Sequence, residues 1–150
     1  MTKNHLYEYE EKYYDRGYKV IAGCDEAGRG PLAGPVVAAC VIFPENINLP
    51  GINDSKQLSK KKREAMAEVI KAHALSITVS FVSEQEIDEI NIYQASKKAM
   101  MQAIDKAQIK PDMILTDAMP LDDTYPYESI IKGDQKSVTI AAASIIAKTT

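Results

Sequence analysis

Two apolar runs, Tyr18 to Cys24 and Val36 to Phe43, flank a connection rich in Gly and Pro, and this pairing constrains the fold more than any other feature. Runs of that length with β-branched and small apolar residues read as strands, and Gly with Pro marks the turn between them. A strand pair with a long, special connection is expected.

The rest of the chain alternates helical and strand periods. Leu6, Tyr9 and Tyr13 recur at helical spacing within residues 3 to 16. Leu58, Ala65, Met66, Val69 and Ile70 do so between Leu58 and Ala74, behind a Ser59 cap. Leu75 to Val82 alternates as a third strand. Ser83 with Glu86 forms a capping-box signature that opens one long helix to about Ala107, carrying Ile87, Ile90, Ala95, Ala99, Met100, Ala103 and Ile104. Met113 to Thr116 and Ser129 to Ile131 read as short strands, and Ser137 to Thr150 as an alanine-rich helix. This order predicts an α/β domain.

Composition narrows the class. A chain of 150 residues, 45% hydrophobic and 26% charged, suits one globular core. Its longest uncharged stretch, the 15 residues from Gly30 to Pro44, is broken by three prolines and is too short to cross a membrane. Acidic residues in the first sixteen positions leave no secretory signal, so a cytoplasmic location is expected. Cys24 and Cys40 lie in apolar runs and read as buried thiols. A net charge of −3 disfavours a protein that coats nucleic acid through a general positive charge.

Four acids follow apolar strands: Asp25 and Glu26 after the first, Asp117 after Met-Ile-Leu-Thr, and Asp134 after Ile130-Ile131-Lys132-Gly133. Acids at strand ends also form turns and cap helices. If the first, fourth and fifth strands are neighbours, however, these carboxylates converge, and at ~5 Å with an effective dielectric near 20 each ionised pair repels by roughly 3 kcal/mol. Such a cluster needs protons or a cation. Oxygen ligands without His or Cys favour Mg²⁺ or Mn²⁺ over zinc. His5 and His73, in polar helical contexts, read as surface residues.

Gly28-Arg29-Gly30-Pro31 offers backbone N–H groups and one guanidinium, suited to a phosphate or a sugar hydroxyl, and equally suits an irregular strand connection. Its match to a dinucleotide fingerprint fails because Pro35 and the β-branched run after it leave no room for the helix that would hold a pyrophosphate. Lys56, in the polar loop Asn53-Asp54-Ser55-Lys56, fits a phosphate contact, while Lys60 to Lys62 read as a solvated charge run. The last helix is small-faced around Ser144, which close packing explains, and that hydroxyl could also meet a ligand.

Asp25-Glu26-Ala27-Gly28-Arg29-Gly30-Pro31, together with Leu32 to Ala39, Asp54-Ser55-Lys56, Leu115-Thr116-Asp117, Lys132-Gly133-Asp134 and Ala142 to Lys148, resembles bacterial ribonuclease HII, the type 2 ribonuclease H. The resemblance runs from about Tyr7 to Thr150. It implies a ribonuclease H-like mixed central sheet with helices on both faces, with residues 1–17 as a helical lead-in and 18–150 as the catalytic domain. It implies cleavage of RNA in RNA–DNA hybrids and at single ribonucleotides in duplex DNA, with Mg²⁺ or Mn²⁺ as cofactor. The metal-binding carboxylates fall on Asp25, Glu26, Asp117 and Asp134, and the ribose-recognising motif on Gly28, Arg29 and Gly30. Lys56 and Ser144 match positions near the nucleic-acid backbone. Family members continue past the Ala-Lys-Thr-Thr stretch into further helices that add substrate contacts. A shortened chain with all four metal ligands is therefore expected, and the competing expectation is a nucleic-acid-binding fragment of the same fold without activity.

Overall fold

The computed structural model describes residues 5–28, 34–52 and 58–150. Five strands form one sheet: β1 (Ile21–Ala27), β2 (Val36–Ile42), β3 (Ser76–Val82), β4 (Met113–Asp117) and β5 (Tyr127–Ile130), in the order β3-β2-β1-β4-β5. β1 pairs antiparallel with β2, as does β2 with β3, whereas β1–β4 and β4–β5 are parallel. The expected strand pair and the adjacency of the first, fourth and fifth strands are both present.

β1 starts later and runs further than its apolar residues imply. The amides of Lys19 and Val20 donate to the Asp112 carboxylate at 2.9 and 2.8 Å instead of to a neighbouring strand. At the other end, Asp25 and Glu26 remain in the ladder opposite Ala39 and Ala38. These two acids therefore sit inside a central strand, not after it. Asp117 likewise is the last residue of β4.

Four helices cover the sheet: α1 (Glu8–Asp15), preceded by the 3-10 turn His5–Tyr7, α2 (Lys60–His73), α3 (Glu84–Lys106) and α4 (Val138–Thr149). Ser59, Ser83 and Ser137 cap α2, α3 and α4, each accepting from the amide three residues on. The long helix expected after Ser83 is interrupted. Asn91 has φ 72° and ψ 166°, and its side-chain oxygen accepts from Gln94 N at 3.0 Å, so it restarts the helix as a new cap. Asn tolerates positive φ, and periodicity alone carries no sign of such a break.

α2 and α4 lie on one face of the sheet and α3 on the other. α4 buries ten consecutive residues, Val138 to Ala147, because it is wedged between the sheet and α2. Its approach to β1 is closest at Gly23, where an added Cβ would stand 2.2 Å from the Thr139 carbonyl carbon and 2.5 Å from Ile140 N. Cys24 and Cys40 face each other across β1 and β2, buried, with their sulfurs 3.0 Å apart. His5 and His73 are exposed, as expected. Among the described residues no helix is long and apolar enough to cross a membrane.

Because backbone atoms of α4 close the space above Gly23, Gly23→Ala should cost about 1–3 kcal/mol or more through overpacking. Urea denaturation reads this directly, and an unchanged midpoint would show that α4 can retreat without penalty.

Candidate metal centre

Side chains alternate along a strand, so Ile21, Gly23 and Asp25 share the β1 face that α4 covers, while Ala22 and Cys24 pack on the opposite face. In β4, Met113, Leu115 and Asp117 share the α4 side, with Met113 and Leu115 in the same cluster as Ile21 and Ile140. Since Cys24 pairs with Thr116 in the parallel ladder, the residues that follow, Asp25 and Asp117, become neighbours on one face.

Asp134 arrives by a different route. After β5 the chain turns at Lys132, in the left-handed region at φ 55° and ψ 41°, and enters the 3-10 turn Gly133–Gln135 ahead of α4. A side chain here would have to displace the end of Ile140, and Gly133 fits closely. Its added Cβ would stand 2.7 Å from the Ile140 side chain, and its N–H donates to Asp117 Oδ1 at 3.0 Å. This bond was not foreseen from the sequence, although the glycine before Asp134 was its available signal.

One carboxylate oxygen from each of Asp25, Asp117 and Asp134 lies within 4.8 Å of the others. Asp25 is 4% exposed and Asp134 1% exposed. Three of the four acids singled out in the sequence thus converge. Glu26 is not part of that trio but adjoins it: its side chain is in contact with Asp25, and its amide donates to Asp25 Oδ1 at 2.8 Å. Burial, then the charges of Glu26 and Asp117, push the Asp25 carboxyl well above the usual carboxylate range. Burial and the Asp117 charge raise Glu26 as well, against the lowering effect of its contact with Asp25.

The donor set fits a hard divalent cation. Asp134 Oδ1 is buried and meets no hydrogen-bond donor, an arrangement that costs energy unless a cation or a proton completes it. Oxygen ligands alone, with no sulfur or imidazole among them, match Mg²⁺ or Mn²⁺ chemistry.

The expected substrate contacts are placed unevenly. Gly28 is exposed just past β1, and among the described residues a Cβ there would meet nothing within 4 Å. Arg29, Gly30 and Lys56 lie outside the described residues. Ser144 is 1% exposed within α4, so packing accounts for the small residue at that position.

A family model described as Ribonuclease HII matches residues 22–150. A ribonuclease HII of Listeria monocytogenes is 55% identical over 143 residues, which cover 95% of this chain and 55% of the relative. Another, from Halalkalibacterium halodurans, is 51% identical over 150 residues, the whole of this chain and 57% of the relative. The chain therefore spans little more than half the length of these curated relatives. Among solved structures, ribonuclease H2 of Pyrococcus horikoshii superposes with a TM-score of 0.75 at 30% identity, over 87% of this chain and 71% of the other. A ribonuclease HII of Archaeoglobus fulgidus, solved in complex with PCNA, gives 0.74 at 32% identity over 86% and 71%. The mixed sheet with helices on both faces is the fold of these proteins. With the family match extending through β1, β4 and α4, the elements that build the acidic trio, the chain belongs to the ribonuclease HII family.

Proposed function

We propose that this chain carries the catalytic centre of a metal-dependent endoribonuclease that cleaves RNA in RNA–DNA hybrids and at single ribonucleotides in duplex DNA. The observation that carries this reading is the convergence of Asp25, Asp117 and Asp134, with a buried oxygen of Asp134 left without a donor. Membership of the ribonuclease HII family supports this substrate class. The proposed setting is the cytoplasm, where thiols such as Cys24 and Cys40 stay reduced.

Asp25, Asp117 and Asp134, with Glu26 beside them, would hold the divalent ions, Asp25 being the ligand central to the set. Bound there, Mg²⁺ or Mn²⁺ would activate the attacking water and stabilise the leaving 3′ oxygen, giving 5′-phosphate and 3′-hydroxyl ends. The protein's own part is to hold these carboxylates in place before substrate arrives. Without a cation, the same charges would repel phosphate.

Discrimination for a ribonucleotide requires a group that reads the 2′-hydroxyl, which both donates and accepts hydrogen bonds. Gly28, with Arg29 and Gly30, is assigned this role. Gly28 is exposed just past β1 and carries no side chain, so a ligand can approach its backbone closely, which supports this assignment. Lys56 is assigned to the nucleic-acid backbone, and Ser144, at 1% exposed, is assigned a supporting place beneath that surface rather than a direct contact.

The main test is Asp25→Asn. It should abolish cleavage of a duplex carrying one embedded ribonucleotide while leaving hybrid binding largely intact; undiminished cleavage would end the metal assignment. Mg²⁺- or Mn²⁺-independent binding with no cleavage by the unmodified chain would favour the inactive-fragment reading. Gly28→Ala should leave the urea midpoint unchanged and lower the preference for an embedded ribonucleotide over all-DNA by about tenfold, a bidentate contact being worth about 1–3 kcal/mol. Retained preference would remove Gly28 from the recognition site.

The same carboxylates set a pH dependence. Asp25 and Glu26 bind protons more tightly in the folded protein than in the unfolded chain, where their values lie near 3.8 and 4.5. Their contribution to metal-free stability is therefore full below those values and is lost as pH rises through the raised folded values. Asp25→Asn should gain stability on the unmodified protein as pH rises above the unfolded-chain value near 3.8 and through the raised folded value, and saturating Mg²⁺ should cancel or reverse the gain. Parallel stability curves at all pH values would contradict the repulsion.

A further inference from the structure

The functional reading leaves one buried acid unexplained. Glu10 in α1 is 4% exposed, and one of its oxygens, Oε2, accepts from the Ser137 hydroxyl, from Thr139 N at 3.0 Å and from Thr139 Oγ1 at 2.7 Å. Its other oxygen, Oε1, is buried with no partner. Burial raises its pKa and the three donors lower it, with burial the larger effect. Docking an amphipathic helix does not require a buried carboxylate, because an apolar side chain does so without the desolvation cost. A specific task is the better explanation.

The partners of Glu10 identify that task. Ser137 caps α4 by accepting from Ile140 N at 3.2 Å, and its own amide donates to Gly133 O at 2.8 Å. Asp134 lies between Gly133 and Ser137, so the corner held by Glu10 is the one that presents this carboxylate. Thr139, the second partner, is the residue whose backbone presses on Gly23, two positions before Asp25 on the same face. The N-terminal segment grips this corner again where His5 Nε2 meets Gln135 O at 3.0 Å. It also holds β5, where Lys12 and Tyr13 bond to Glu128, the register partner of Leu115, two residues before Asp117.

We propose that Glu10 is a positioning residue for the acidic trio: through Ser137 and Thr139 it fixes the 3-10 turn and the start of α4, and thereby the distance of Asp134 from Asp25 and Asp117. It touches neither metal nor substrate. The inference rests on the metal-centre reading, and its test separates the two.

The test compares Glu10→Ala and Glu10→Gln with the unmodified chain in two measurements: amide hydrogen exchange of the metal-free protein, and Mn²⁺ affinity by titration calorimetry. Glu10→Ala should speed exchange at Lys136 and Ser137 by about tenfold while amides of β2 stay as they were. It should weaken Mn²⁺ binding by about tenfold or more, the usual cost of losing a group that orients a ligand. Glu10→Gln retains a carbonyl oxygen for the same three donors and should stay within about threefold of the unmodified chain in both. A general loss of stability would instead raise exchange everywhere.

Unchanged exchange and Mn²⁺ affinity in Glu10→Ala would overturn the proposal, as would faster exchange at the corner with undiminished Mn²⁺ affinity, or equal losses in Glu10→Ala and Glu10→Gln. Should Glu10→Ala fail to fold, Thr139→Val removes one donor at nearly constant shape and should loosen the same two amides; no change there would overturn it. An unmodified chain that binds no Mn²⁺ would sink the metal-centre reading, and the exchange measurement would still decide whether Glu10 holds the corner.

Discussion

The contact between α4 and β1 is the constraint on which the remaining architecture depends. Helices ordinarily pack on sheets through intervening side chains, but at Gly23 the backbone of Thr139 and Ile140 occupies the space a side chain would fill. The approach is tolerated because β1 has glycine at the point of contact and because α4 carries the small residues Ala141 to Ser144. From this contact follows the placement of the turn preceding α4, which brings Asp134 to the ends of β1 and β4. A bulkier β1 would displace a helix and, with it, a carboxylate.

That placement works against the electrostatics. Three carboxylates within 4.8 Å of one another, two of them almost wholly buried, oppose the folded state unless protons or a cation intervene. The protein offsets this with backbone donors at the edge of the site, Glu26 N to Asp25 and Gly133 N to Asp117, and leaves one Asp134 oxygen facing no donor. The site is thus held by its surroundings rather than by attraction among its members. Such preorganisation is what a phosphoryl-transfer centre requires, because the charge it stabilises appears only during reaction.

Much of this was legible in the sequence. Element order, the serine caps at Ser59 and Ser83, and, given neighbouring first, fourth and fifth strands, the convergence of Asp25, Asp117 and Asp134 follow from apolar period and from acids at the ends of apolar runs. Boundaries were less legible: β1 extends through its acids because β2 continues to pair with it, and a strand's polarity does not reveal how far its partner runs. The break at Asn91 escaped notice because one positive φ leaves the apolar period of both halves intact. Glu10 was invisible for another reason, since its partners Ser137 and Thr139 are remote in sequence and no local pattern joins them.

The sheet order also dictates a sequence of assembly during synthesis. β1, β2 and β3 form a run of neighbours joined in chain order, so they can pair as soon as they leave the ribosome, whereas β4 must insert beside β1 after a long excursion through α3. Asp25 therefore waits while the polypeptide is extended to Asp134, roughly 5 to 20 s at ordinary elongation rates. Over that interval the central strand exposes an open edge on the side reserved for β4, and the nascent chain is most vulnerable to wrong partners there. The ion-binding arrangement is complete only when the last helix docks.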